Sequence, residues 1–249
     1  MKTRQHPLSF WYRLLIISTI LICLLHCVSE QSSDRKNTGN EPVIIVVLGS
    51  STAAGTGPAE FNNAWVNRYR RFVKSIDTSY QVINLAKGGY TTYQIMPQRY
   101  SPPADKPRPD SNRCITKALS YNPDAIIINL PSNDAANGFS VSEQLANYDT
   151  ILAATKMRHI PVWITTTQPR NLSLEKWQNL MEMRDSTFAR FGEKAIDFWS
   201  GIESAAGKLN PVFDCGDGVH LDDQGHGELF DRVKRAGVID SIFVYRRRD

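Results

Sequence analysis

The stretch from Pro42 to Leu48, PVIIVVL, is a run of β-branched and aliphatic residues with no polar interruption. A strand with one wet face alternates apolar and polar side chains, so an unbroken run calls for apolar cover on both faces. Similar runs recur at Gln81 to Leu85, Asp124 to Leu130 (DAIIINL) and Ile160 to Thr166 (IPVWITT), with a weaker one at Ala195 to Trp199. The segments between them carry helical spacing instead. Phe61, Trp65, Tyr69, Phe72, Val73 and Ile76 recur at three- and four-residue intervals, as do Leu145, Tyr148, Ile151, Leu152 and Met157, and again Leu180, Met183, Phe188 and Phe191. Strands separated by helices need crossover connections, which predicts a parallel sheet covered by helices on both sides. No repeat or shift in composition marks a boundary, so residues 42–249 read as one doubly wound α/β domain. The Pro-rich segment Ser101 to Asp110 is predicted to be a surface loop above the sheet.

The first 29 residues read as an address. Lys2, Arg4 and Arg13 precede an apolar run from Leu14 to Leu25, and a polar stretch opens at Ser29, the three-part layout of a signal peptide. The run is shorter than the roughly 20 residues that span a bilayer. Residues 30–41 are then a flexible leader, and the protein is expected to be exported, to the periplasm or outside the cell. Leu24-Leu25-His26-Cys27 resembles a lipoprotein box only loosely, since His26 stands where a small residue is required. Contact with membrane is therefore expected only through the signal or such a lipid anchor. The chain carries a formal net charge of +4, but removing those three basic residues leaves 26 basic against 25 acidic ones. That balance argues against a nucleic-acid partner.

Cys23 and Cys27 would leave with the signal, so Cys114 and Cys215 remain as an even pair. Export permits a disulfide between them, closing a loop of about a hundred residues and contributing about 4 to 5 kcal/mol by chain entropy. Two buried thiols are the alternative. Neither cysteine has a second one nearby to build a zinc site.

Ligands of such sheets bind beyond the carboxyl ends of the strands, and polar segments stand there. The first strand runs into Gly49-Ser50-Ser51-Thr52-Ala53-Ala54-Gly55-Thr56-Gly57, which lacks the lysine of a P-loop and the spacing of a dinucleotide site. The second leads to Lys87-Gly88-Gly89-Tyr90, where a glycine can offer a backbone N–H to an anion. The third ends at Pro131-Ser132-Asn133-Asp134, where the Asn133 amide is a further donor or a turn and cap residue. Near the C-terminus, Asp217-Gly218-Val219-His220 sets an acid three residues before a histidine. There Asp217 can accept the Nδ1 proton and leave Nε2 to take one from a hydroxyl, although Asp-x-x-His also serves as a metal pair or a local hydrogen bond. Of the other histidines beyond the signal, His159 and His226 read as structural or solvated.

Taken together, these four segments resemble the SGNH hydrolases, the GDSL esterase/lipase family, from Val43 to about Val238. The most specific elements are DGVHLDDQGH and the Asn133-Asp134 pair. The resemblance implies a three-layer α/β/α sandwich with a central parallel, flavodoxin-like sheet. It implies Ser51 as nucleophile, His220 as general base, Asp217 as its orienting acid, and an oxyanion hole formed by Ser51, Gly89 and Asn133, with no cofactor. Gly49-Ser50-Ser51 departs from the family's Gly-Asp-Ser, and Pro131 replaces a glycine. The expected substrate is a short acyl ester on a carbohydrate or on peptidoglycan, with Tyr90, Tyr93, Trp163 and Gln168 near the strand ends as residues suited to a sugar, although a strand tryptophan such as Trp163 is more commonly core. The alternatives are a lysophospholipase or thioesterase, a non-catalytic glycan-binding member of the fold and, more remotely, a nucleotide-binding α/β protein.

Overall fold

Five strands form one parallel sheet: β1 (Ile44–Gly49), β2 (Gln81–Asn84), β3 (Ala125–Asn129), β4 (Val162–Thr165) and β5 (Ala195–Ile196), in the order β2-β1-β3-β4-β5. The computed structural model describes residues 42–130 and 132–246, all within the unit Asn40–Asp249. The expected signal and leader, and Pro131, lie outside the described residues. The helices are α1 (Ser51–Ala54), α2 (Trp65–Ile76), α3 (Ile115–Leu119), α4 (Asn133–Ala136), α5 (Val141–Lys156), α6 (Leu174–Phe191), α7 (Asp223–Arg235) and α8 (Val238–Arg246).

Both faces of the sheet are dry, as the unbroken apolar runs require. Successive side chains of a strand point to opposite faces. Ile45 and Val47 of β1 and Ile127 of β3 enter a core built with Trp65, Tyr69 and Val73 of α2 and Leu229 and Val233 of α7. Val46, Leu48, Ile126 and Ile128 enter the opposite core with Ile115 of α3, Tyr148 and Ile151 of α5 and Met183 of α6. The result is the expected three-layer sandwich. The sheet order reverses at β1, whose neighbours β2 and β3 lie on opposite sides, and the connections there part to leave a crevice at the carboxyl ends. Gly49 closes that end of β1. A Cβ there would sit 2.6 Å from the Asn129 carbonyl oxygen and 2.8 Å from the Ala53 Cβ, so only glycine lets the strand turn this tightly into α1.

The first helical pattern is shorter than its spacing predicts. Ala64 is extended (φ −56°, ψ 140°), so Phe61 falls in a separate 3-10 turn, Phe61–Asn63, and is 62% exposed. What holds this turn is polar. The Asp223 carboxylate at the start of α7 accepts from the Asn63 side chain (2.6 Å) and the Ala59 N–H (3.0 Å). One turn on, His226 is fully buried; its Nδ1 accepts from the Trp65 N–H (3.1 Å) and its Nε2 lies 3.1 Å from the Thr56 carbonyl oxygen. An acceptor on one side and a donor on the other admit only the neutral imidazole protonated at Nε2. His226 is thus structural.

The expected disulfide is not formed: Cys114 and Cys215 are both free thiols. Cys114 is sealed at the N-terminus of α3, whereas Cys215 lies on the surface, flanked by the Asp214–Leu221 bridge. One sulfur in the core and one at the surface do not meet the short Cβ separation a bridge demands.

Burial pushes the His226 pKa down to about 4. With the unfolded value near the ordinary 6.5, the imidazole's contribution to stability is complete above that pH and is lost as pH falls toward 4. Comparison of urea unfolding of the wild type with His226→Gln, which keeps a donor and an acceptor, should show the wild type losing about 3 kcal/mol relative to the variant over that window. A difference that stays flat would remove the neutral clamp.

Candidate active site

Ser51 is the first residue of α1, directly beyond β1, and its Oγ lies 2.8 Å from Nε2 of His220. On the other edge of the ring, Nδ1 lies 2.6 Å from Oδ2 of Asp217. An ionised carboxylate can only accept, so the ring proton sits on Nδ1 and Nε2 is left to accept from the serine hydroxyl. The second Asp217 oxygen accepts from the N–H groups of Val219 and His220, each at 2.8 Å. Partial burial would raise the Asp217 pKa. The His220 backbone and ring and the Val219 N–H outweigh it and bring the carboxyl down to about 2. Asp217 is therefore a fixed negative charge, suited to stabilising an imidazolium without taking its proton.

The loop carrying these two residues is tied from within and from outside. Asp214 Oδ1 accepts from the N–H groups of Gly216 (2.8 Å), Asp217 (3.1 Å) and Gly218 (3.0 Å). Gln168 Nε2 donates to the Val219 carbonyl (3.1 Å), and the Asn171 N–H to the Gly218 carbonyl (2.9 Å). Asp214, Cys215 and Asp217 form the cluster of potential metal ligands among the described residues. Its carboxylates already serve the loop and His220, and the chemistry of the site is that of a serine and a base.

Three groups near the strand ends can donate to a bound oxygen. The Ser51 N–H opens a helix, where backbone donors have no intrahelical partner. Gly88 is the glycine beside Ser51, a Cβ built on it falling 3.9 Å from the serine Cβ. Gly89 has φ +80° and open space around it. Among the described residues neither glycine N–H has an acceptor. Asn133, at the start of α4, donates from Nδ2 to the Tyr90 carbonyl (2.9 Å), which leaves its second amide hydrogen for a ligand. The segments that carry Gly89 and Asn133 are bound to each other by Asp134. This fully buried carboxylate accepts from the Thr92 N–H (3.1 Å to each oxygen) and the Thr92 hydroxyl (2.6 Å), and Asn147 donates to that hydroxyl (2.8 Å). Burial pushes the Asp134 pKa up to about 6 despite those donors.

Gly57 presses the α1–α2 connection against the histidine. Its φ is +117°, and a Cβ there would lie 2.1 Å from the Leu221 carbonyl oxygen and 3.1 Å from the His220 Cβ.

Of the residues singled out from sequence for this site, Ser51, His220 and Asp217 form one hydrogen-bonded chain, Gly88 is the glycine beside the Ser51 side chain with Gly89 next to it in sequence, and Asn133 is bonded to Tyr90, the residue after Gly89. The aromatic expectation fails. Tyr90, Tyr93, Trp163 and Gln168 are all buried, so they form no platform for a sugar. Tyr93 donates to Glu143 (2.7 Å), Tyr90 bonds Asp110 of the Pro-rich loop, and Trp163 belongs to the α2–α7 core. Two residues beside Asn133 have no role in the sequence pattern: Asp134, its neighbour, and Arg170, whose guanidinium reaches it and whose place shortly beyond β4 is the available signal.

A family model described as GDSL-like lipase/acylhydrolase matches residues 47–227. No curated protein sequence matches the chain. Among solved structures, a G-D-S-L family protein described as lipolytic, from Desulfitobacterium hafniense DCB-2, is 15% identical with a TM-score of 0.61, covering 78% of this chain and 99% of that one. An acetyl xylan esterase is 16% identical with a TM-score of 0.59, covering 78% and 99%. A two-domain esterase active on acetylated mannans is 17% identical with a TM-score of 0.58, covering 83% of this chain and 50% of that one. These likenesses are of fold.

Gly57→Ala has neither the backbone freedom nor the space to be accommodated in place, so it should displace His220 from Ser51. Steady-state hydrolysis of a soluble ester should fall roughly 10- to 100-fold, since displacement of about 1 Å at the reacting groups costs that much. Wild-type turnover in Gly57→Ala would show that this contact does not set the histidine.

Proposed function

Because the chain belongs to the GDSL-like lipase/acylhydrolase family, we propose that it is a carboxylic ester hydrolase working through Ser51, His220 and Asp217. The observation that carries this reading is the unbroken hydrogen-bonded chain from the Ser51 hydroxyl through His220 to Asp217. A serine hydroxyl is a weak nucleophile at its free pKa. In this reading His220 Nε2 takes its proton as Oγ attacks the ester carbonyl, and the imidazolium is stabilised by Asp217. The carbonyl oxygen becomes an oxyanion held by the N–H groups of Ser51 and Gly89 and by the Asn133 amide. His220 then returns the proton to the departing alcohol. Water, deprotonated by the same nitrogen, releases the acid and regenerates the serine. Every proton is handled by the protein's own groups, and no cofactor enters.

The substrate class we propose is a short acyl group, acetyl foremost, on a carbohydrate. The reading is supported by the fold shared with an acetyl xylan esterase and an esterase active on acetylated mannans. A non-catalytic glycan-binding role is disfavoured by a serine already hydrogen-bonded to a base that is itself held by a carboxylate. We also propose that residues 1–29 are a signal peptide removed on export and residues 30–41 a leader to the domain of residues 42–249. Intact-mass measurement of protein recovered from culture medium or periplasm tests this. A mature chain beginning near residue 30 supports it, and an intact Met1 terminus contradicts it.

Ser51→Ala should lower kcat on p-nitrophenyl acetate by about 10⁴ to 10⁶. Asn133→Ala, which removes one oxyanion donor, should cost roughly 10² to 10³. Hydrolysis that survives Ser51→Ala intact would assign the nucleophile elsewhere. Across acetyl, butyryl and long-chain esters, with acetylated xylan and peptidoglycan alongside, turnover should be highest on the acetylated carbohydrate. A preference for long chains would move the protein to the lysophospholipases and thioesterases.

A further inference from the structure

Arg170 stands five residues beyond Thr165, the last residue of β4, where it is half-buried. Its Nη1 donates to Asn133 Oδ1 (3.1 Å) and, at longer range, to the Ser132 hydroxyl (3.4 Å). Among the described residues no carboxylate lies within ion-pair distance of it. Its Nε is buried without a hydrogen-bond partner. Burial lowers its pKa, and the Asp217 charge only partly restores it. A guanidinium kept in such surroundings costs stability, and among the described residues its hydrogen bonds go to the segment that opens α4.

The Asn133 amide has two orientations related by a half-turn of its terminal torsion. In the observed one, Nδ2 faces the Tyr90 carbonyl and Oδ1 faces the guanidinium. The flipped one would set oxygen against the carbonyl and NH₂ against a cation, so both contacts would become repulsive. Tyr90 alone uses one amide hydrogen. With Arg170 on the oxygen, the amide is held in one orientation, and its remaining hydrogen, fixed in the amide plane, is left for a ligand. A cation on Oδ1 also withdraws electron density from the amide and strengthens its N–H as a donor.

From this geometry we infer that Arg170 is a positioning residue for the oxyanion: it fixes the orientation of Asn133 and sharpens its N–H as a donor to the transition state. The inference rests on the serine-esterase reading above. Its neighbours serve the same purpose on the opposite wall, since Gln168 and Asn171 bond the carbonyls of Val219 and Gly218. The segment Gln168 to Asn171 therefore spans the crevice, with the base on one side and the oxyanion donor on the other.

The test is a double-mutant cycle in the full mature protein, using Arg170→Ala, Arg170→Lys, Asn133→Ala and the Arg170→Ala/Asn133→Ala pair, with p-nitrophenyl acetate and thermal unfolding in parallel. Arg170→Ala should lower kcat roughly 10- to 100-fold with KM changed less than about twofold, because the donor it sets acts in the transition state. Arg170→Lys, which keeps a charge and a donor, should recover part of that loss, and guanidinium ion at millimolar concentration should partly rescue Arg170→Ala. In the Asn133→Ala background, removing Arg170 should have little further effect. Multiplicative losses, or unchanged kcat in folded Arg170→Ala, would overturn the inference. Should Arg170→Ala fail to fold, the cycle run with Arg170→Lys decides by the same criterion. Ser51→Ala in the same assay separates the two claims. If it stays active, the esterase reading falls; if Ser51→Ala and Asn133→Ala are impaired while Arg170→Ala matches the wild type, only the role of Arg170 falls.

Discussion

The hydrogen bond of 2.8 Å between Ser51 and His220 joins residues 169 positions apart, and the rest of the structure is arranged around keeping it. Neither side chain is long enough to search for the other. The serine is placed by a strand end that only glycine can close, and the histidine by a loop whose backbone N–H groups are gathered on Asp214 and Asp217. The sheet brings the two together because β1 is where its order reverses, which opens a crevice at the carboxyl ends of β1 and β3.

Two buried ionisable groups carry much of the load behind this crevice, and they respond to pH in opposite senses. Asp134 joins the Gly89 and Asn133 segments. Its raised pKa means that the native carboxyl binds a proton more readily than the unfolded one, so its burden on stability eases as pH falls toward 4. His226 joins α7 to the α1–α2 connection, and its lowered pKa makes the same acidification unfavourable. Around the serine the logic differs. Backbone donors at Gly88 and Gly89 are exposed and without protein partners among the described residues, so they are available to a bound carbonyl as charge develops on it.

The five strands were legible within one to three residues, because a strand buried on both faces has no alternation to blur it. The site was legible for a related reason: each of its parts is a short local segment, three of them just beyond strands and the fourth just before α7, and the final Asp and His sit three residues apart. What escaped were partners set by tertiary structure. Thr92 and Asp134 are 42 residues apart, and Arg170 and Asn133 are 37 apart. No local pattern announces either pair. The sugar-facing aromatics failed because position near a strand end does not say which way a ring points. Trp163 and the tyrosines had apolar layers to fill. Helical spacing likewise included Phe61, which Ala64 and the Asp223 contacts divert into a separate turn. The cysteines formed an even pair in the sequence, yet one belongs to the core and the other to the surface.

The central claim is that one serine, and no other, is activated by this arrangement. Treatment of the purified mature protein with a fluorophosphonate, followed by peptide mass mapping, measures it directly. A single stoichiometric adduct on Ser51, formed in step with complete loss of ester hydrolysis, is the result the account predicts. Hydrolysis that persists with Ser51 unlabelled, or an adduct on a different side chain that accompanies inactivation, would contradict it.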